Sequence, residues 1–151
     1  MKYSHTQRAP LGTILYATGV AIFAVGLFVR DAPMVPYILA AAGSITVLAG
    51  LMFGHLTVRD EGEHLAVRFG PLPVFQTRIA YAQMTSVEPD RTSVIDGWGI
   101  HYIPWRGATY NLWGFGCVKI TLNGRVIRIG TDDVKGLTAF LQTKISEPDA
   151  A

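Results

Sequence analysis

Two apolar runs, Leu11–Val29 and Val35–Phe53, constrain this chain more than any other feature; each is 19 residues long and carries no charged side chain. About 20 apolar helical residues cross the hydrocarbon core of a bilayer, so each run is long enough to span. Between them, Arg30-Asp31-Ala32-Pro33-Met34 reads as a tight polar turn with a helix-breaking proline. The expectation is a transmembrane helical hairpin over residues 11–53, with spans at 11–29 and 35–53. The first run exceeds the apolar stretch of a secretory signal peptide, which is about 7–15 residues. No small-x-small cleavage site follows it and a second span comes at once, so an uncleaved helix is expected.

Basic residues are retained on the cytoplasmic side of a membrane. Lys2 and Arg8 precede the first run, Arg59 and Arg68 follow the second closely, and the turn holds only Arg30. Both termini are therefore expected in the cytoplasm, with residues 1–10 as a short polar tail. Gly12, Gly19 and Gly26 recur every seven residues, as do Gly43 and Gly50, so each set forms one line along its helix. Small residues let helices approach closely in lipid. The lines serve either to pack the two helices on each other or to form a homo-oligomer seam. The five-residue turn already forces the helices together and favours the first. Only Gly54 and His55 separate the second run from the next alternating stretch, which leaves almost no linker and is expected to hold the following domain against the membrane surface.

From Leu56 to Ala151 there are ten Lys and Arg against ten Asp and Glu, so the net charge of +2 comes from Lys2 and Arg8, with Arg30 and Asp31 cancelling. A neutral domain argues against nucleic acid and against a polybasic lipid-binding surface. A single cysteine, Cys117, excludes an intramolecular disulfide and a Cys-rich metal site. No His or CxxC neighbours it, so a buried apolar role is expected. His5, His55, His64 and His101 lack the spacing of a helical zinc pair. Gly114-x-Gly116 precedes a strand rather than a helix and is not a dinucleotide fingerprint. No Ser/His/Asp or paired-carboxylate pattern stands out. No catalytic residue, metal ligand or cofactor is expected, and the chain does not read as an enzyme.

After Gly54 the pattern is strands and then one helix. Strands are expected at Leu56–Asp60, His64–Phe69, Phe75–Ile79, Thr85–Glu88, Ile100–Pro104 and Thr109–Trp113, with a turn at Glu61-Gly62-Glu63 and a loop over residues 70–73. In His64–Phe69, Leu65, Val67 and Phe69 share one face, and Ala66 and Arg68 the other. Cys117–Leu122 and Arg125–Gly130 flank Asn123-Gly124, the strongest short-range hairpin signal, because a type I′ turn needs positive φ at both central residues. Thr131 is expected to cap a helix reaching Ile145, with Asp132 and Asp133 in its first turn and Val134, Leu137, Leu141 and Ile145 as its apolar stripe. Residues 146–151 read as a disordered polar tail.

Gly97-Trp98-Gly99-Ile100, Tyr110-Asn111-Leu112-Trp113-Gly114, Asn123-Gly124-Arg125 and Ile129-Gly130-Thr131-Asp132-Asp133 together resemble bacterial membrane proteins that carry a pleckstrin-homology-like domain behind a two-helix anchor. The resemblance covers residues 11–145. It implies a bacterial inner-membrane location and a PH-like domain at 56–145. The implied fold is membrane-anchored and mostly β: a seven-stranded, strongly bent antiparallel barrel or sandwich closed at one end by a C-terminal helix. It brings no catalytic motif. Eukaryotic relatives bind phosphoinositides through basic residues around the first hairpin; here that turn is the acidic Glu61-Gly62-Glu63, so inositide binding is not carried over.

Residues 98–115 are the densest constellation, holding all three tryptophans, Trp98, Trp105 and Trp113, with Tyr102, Tyr110 and Arg106. Such residues suit a headgroup layer, a partner-binding patch, or the packing of two core strands. The Asn123-Gly124 register also sets Lys119 directly opposite Arg128 on the outer face. Like charges there are unfavourable and would be relieved by an anion, by carboxylates of a neighbouring strand, or by water. The candidate lipid or partner surface is thus Trp98, Tyr102, Trp105, Arg106, Tyr110, Trp113, Lys119 and Arg128. An anchored domain has no need of recruitment. The expected function is therefore binding of a neighbouring membrane protein as a non-enzymatic assembly or regulatory subunit. The alternative is sensing of anionic lipid.

Overall fold

A computed structural model describes residues 2–29, 32–71 and 74–146. Arg30 and Asp31 of the expected turn, Leu72 and Pro73 of the expected loop, and residues 147–151 of the expected tail lie outside the described residues. The chain forms two compact units: Ala9–His55 with Phe69–Phe75, and Met1–Arg8 with Leu56–Arg68 and Gln76–Ala151.

The first unit holds α1 (Pro10–Phe28) and α2 (Val35–Met52), both long and apolar enough to cross a membrane. Each has a proline in its first turn, where a missing N–H costs no helical bond. The fully buried residues of the two helices are all glycines: Gly12, Gly19 and Gly26 on α1, Gly43 and Gly50 on α2. A Cβ on Gly19 would stand 2.6 Å from the Val47 nitrogen, and one on Gly43 would stand 2.8 Å from the Gly19 carbonyl oxygen. The two glycine lines therefore face each other and set the approach of the helices. Of the two expected uses of the glycine lines, this is the favoured one, packing of the two helices on each other. The large side chains point away from the seam, with Phe23, Leu27, Phe28, Ile38, Ile45 and Leu48 all exposed. Beyond α2, Phe53 packs against Phe69 and Phe75, with ring centroids 5.8 and 5.7 Å away.

The second unit has nine strands among the described residues: β1 (Ser4–Arg8), β2 (His55–Asp60), β3 (His64–Phe69), β4 (Gln76–Ala80), β5 (Met84–Arg91), β6 (Gly99–Ile103), β7 (Gly107–Asn111), β8 (Gly116–Leu122) and β9 (Arg125–Gly130). They form a sheet ordered β1-β2-β3-β4 and a second ordered β5-β8-β9-β7-β6. A mostly β unit with one C-terminal helix is as expected, whereas the seven strands, the purely antiparallel pairing and the barrel form of the implied fold are corrected. Strand β7 pairs with β9 in parallel, and among the described residues no strand joins the two sheets into a barrel.

The N-terminal segment is a further correction, because Ser4–Arg8 is a strand rather than a tail. Its alternation is polar, so no apolar face betrays it. What holds it is pairing with β2 and distant partners. The Asp60 N–H donates to the Tyr3 carbonyl at 2.8 Å, and the Gln7 side chain donates to the Trp113 carbonyl at 3.0 Å. Strand β5 runs past its expected end at Glu88 through Pro89, which an edge strand tolerates because it lacks a partner on one side. Strand β7 starts two residues earlier than expected, at Gly107. Ala66 is buried although it alternates with the core face of β3.

The β8–β9 hairpin has the expected register, Leu122 with Arg125 and Lys119 with Arg128. Asn123 and Gly124 take φ of 42° and 87°, as a type I′ turn requires. Helix α3 spans Val134–Ser146. Its cap differs from expectation: Asp133 precedes the helix and accepts the Gly136 N–H at 3.0 Å, while Thr131 accepts the Asp133 N–H at 3.1 Å. Helix α3 packs on β5 and β8. Leu137 and Leu141 join Leu65, Val67, Val118, Ile120 and Ile129 as buried members of the core.

Two substitutions test this construction. Gly19→Ala is expected to lower the thermal midpoint of the detergent-solubilised chain by the equivalent of about 1–3 kcal/mol, whereas exposed Val20→Ala changes it by less than about 0.5 kcal/mol. Tyr3 stacks on Phe140 at 5.2 Å and its hydroxyl donates to Asp133 at 3.1 Å. Tyr3→Ala should therefore cost about 1–3 kcal/mol in urea unfolding followed by tryptophan fluorescence, although a disordered tail would tolerate it.

Candidate functional site

The centre of the site is one carboxylate. Asp96 is 0% exposed and closes a short 3₁₀ turn, Val94–Asp96. The Ser93 N–H and hydroxyl donate to it at 2.6 and 3.0 Å. Arg106 adds a two-pronged pair, its Nε and Nη2 donating to the two carboxylate oxygens at 2.8 Å each. Burial raises the Asp96 carboxyl, but the Ser93 bonds and the Arg106 guanidinium outweigh it and hold the group below its ordinary 3.8. Ser93-x-x-Asp96 is a capping box, and it leaves Val94 and Ile95 pointing into solvent, 84% and 79% exposed. The next residue, Gly97, has φ of 61°, and a Cβ there would meet His101 Nε2 at 2.9 Å.

Trp98 follows and packs on Trp113, with ring centroids 4.5 Å apart. Both are partly exposed, as is Phe115. Tyr102 is 73% exposed on β6, and Trp105 is 82% exposed at the turn into β7. Tyr102 and Trp105 are thus surface side chains, while Trp98 and Trp113 pack on each other with part of each ring exposed. Tyr110 is half-buried within β7, paired with Ile100 of β6 and Ile129 of β9.

Lys119 and Arg128 stand apart from this group. They are opposite each other as expected, but β5 supplies a carboxylate to each. Glu88 is in register with Lys119 and lies 3.5 Å from its Nζ, and Asp90 lies 2.9 Å from Arg128 Nε. Arg128 also donates to the Arg106 carbonyl and is only 9% exposed. Of the three expected ways of relieving the repulsion, carboxylates of a neighbouring strand are the one present.

Tyr102, Trp105 and Arg106 line a cleft of about 880 Å³, together with Arg78 of β4 and Arg125 of β9. Arg78 and Arg125 escape a sequence reading centred on aromatic density, although each occupies an outward strand position. Val94 and Ile95 escape it too; the signal for them is an apolar pair enclosed by Ser93-x-x-Asp96. Arg78 shares Glu61 with Arg59 and Arg68, all donating to that one carboxylate. Partial burial raises the Glu61 carboxyl, and the Arg78 hydrogen bond with the Arg68 and Arg78 charges holds it below its ordinary range. Glu61 of the acidic turn is thus surrounded by three arginines.

Cys117 is fully buried, and burial, reinforced by the Asp90 carboxylate, pushes its thiol up to about 12. It is a small apolar filler rather than a nucleophile. Among the described residues no group of three His, Cys, Asp or Glu side chains is placed to hold a metal ion. No protein-family model matches this chain, and no curated protein matches it.

The Asp96 pair has a signed pH consequence. A carboxyl depressed on folding adds stability above its unfolded value, and that stability is lost as pH falls through the folded one. The unfolding midpoint of the chain is expected to fall as pH drops below about 4. Asp96→Asn should flatten that acid dependence and, at pH 7, cost up to about 3–5 kcal/mol by leaving Arg106 without its counter-charge.

Proposed function

We propose that this chain is a membrane-anchored, non-enzymatic binding module that holds a neighbouring membrane protein as an assembly or regulatory subunit. In this reading α1 and α2 span a bacterial inner membrane with both termini in the cytoplasm, and the β unit is PH-like. The outward apolar side chains of α1 and α2 support the anchor, since a bilayer is a solvent in which that surface costs nothing. The observation that carries the binding role is the presentation of Val94 and Ile95. A buried ion pair and a capping box fix a turn whose outward side chains are aliphatic and almost fully exposed, beside the Trp98–Trp113 pair. Rigidly held apolar and aromatic side chains are the usual anchors of a protein interface.

A second reading, contact with anionic lipid, is favoured by the clustering of Arg59, Arg68 and Arg78 around Glu61. The two readings separate cleanly because all three tryptophans lie in residues 98–113. The chain is reconstituted in nanodiscs of dibrominated phosphatidylglycerol or dibrominated phosphatidylcholine, and tryptophan emission is read. The partner reading expects little quenching by either lipid. Strong quenching confined to the brominated phosphatidylglycerol would transfer the role to lipid. The partner reading also expects a photo-crosslinking residue at position 95 to yield, in cells, one adduct of defined mass that Val94→Asp abolishes. A crosslinker at exposed Gln142 should yield none. Equal adducts from both positions would defeat it.

A further inference from the structure

Strand β4 is the last strand of its sheet and, among the described residues, has no neighbour on its far side. Its hydrogen-bonding phase follows from its two ends. The Phe69 N–H donates to the Phe75 carbonyl, and the Tyr81 N–H donates to the Glu63 carbonyl. In the antiparallel register that pairs Val67 with Thr77, bonded pairs alternate, so Thr77 and Ile79 bond to β3. Gln76, Arg78 and Ala80 then direct their backbone N–H and C=O groups toward the open edge. Arg78 of that edge, with Thr77 and Ile79, forms one wall of the 880 Å³ cleft, and the turns joining β6 to β7 and β8 to β9 form the other.

The lining is strongly biased in charge. It holds Arg78, Arg106 and Arg125 and, among the described residues, no Asp or Glu. Arg106 is neutralised by Asp96, but Arg78 shares one carboxylate with two other arginines, and no carboxylate lies within ion-pair distance of Arg125 among the described residues. Tyr102 and Trp105 add exposed aromatic faces at the lip.

We propose that this cleft docks an extended acidic segment of the partner protein, which adds as a strand to the free edge of β4. The backbone groups of Gln76, Arg78 and Ala80 supply the ladder, Arg78 and Arg125 take the carboxylates from opposite walls, and Trp105 covers the segment. Cations on both walls suit a chain of spaced carboxylates better than a single phosphate. A cationic edge also repels a second copy of itself, so it admits a complementary strand while resisting self-association. The proposal rests on the reading of this chain as a protein-binding module, and it adds the class of segment that is bound.

The test uses the full chain in nanodiscs of neutral lipid and three fluorescein-labelled, end-capped octapeptides: alternating glutamate and valine, alternating lysine and valine, and the glutamate peptide N-methylated at alternate backbone amides. Anisotropy is expected to show saturable binding of the glutamate peptide alone, weakened by salt. Arg125→Glu should weaken it at least about tenfold, Arg125→Lys should largely restore it, and Trp105→Ala should weaken it several-fold, all without shifting the thermal midpoint. Equal binding of the lysine peptide removes the charge argument, and equal binding of the N-methylated peptide removes strand addition; either overturns the proposal. Displacement of the peptide by millimolar inorganic phosphate as effectively as by unlabelled peptide would mark a general anion site and also overturn it. An adduct at position 95 with no binding of the glutamate peptide refutes the cleft while leaving the binding-module reading intact.

Discussion

A carboxylate removed from solvent must be paired, and the pairing of Asp96 with Arg106 organises the exposed half of the β unit. One partner sits in the 3₁₀ turn that carries Val94 and Ile95. The other sits in the turn that carries Trp105. The same ion pair therefore holds two surfaces of different chemistry, one aliphatic and one cationic and aromatic. Arg128 extends the arrangement by donating to the Arg106 carbonyl while bound to Asp90 of β5. A network of this kind contributes less through net stability than through geometry, because each charge has only one place where it is satisfied.

The helical hairpin is organised by the opposite device, an absence of side chains. With glycine at the closest crossing points, backbone meets backbone, and many of the larger apolar groups face outward. Close backbone approach lets the two helices make van der Waals contact along their length. The outer surface of the helix pair is mostly apolar.

Much of the fold was legible in residue order. The two apolar runs, the strands at His64–Phe69 and Arg125–Gly130, and the Lys119–Arg128 register all follow from periodicity and from one Asn-Gly turn. Strand β1 was not legible because its alternation is entirely polar and its partners lie far along the chain. The extension of β5 through Pro89 was hidden for a related reason: proline ends a central strand but not an edge one, and edge position is a property of the assembled sheet. In the candidate site, aromatic density pointed to residues 98–113, while Arg78 and Arg125 became neighbours of that stretch only through sheet packing.

The sequence by itself determined what is local. Helix length, strand period, turn type and the seven-residue glycine repeat are set by nearest neighbours and backbone sterics. Tertiary structure alone decided which charges are satisfied. Residue order set Lys119 opposite Arg128 but left open whether an anion, a neighbouring strand or water relieves them, and β5 supplies Glu88 and Asp90; the acidic Glu61 likewise gains its three arginines only in the folded chain. The reason is physical. Coulombic and hydrogen-bond partners are chosen by distance in space, and residue order fixes that distance only within a turn or a hairpin.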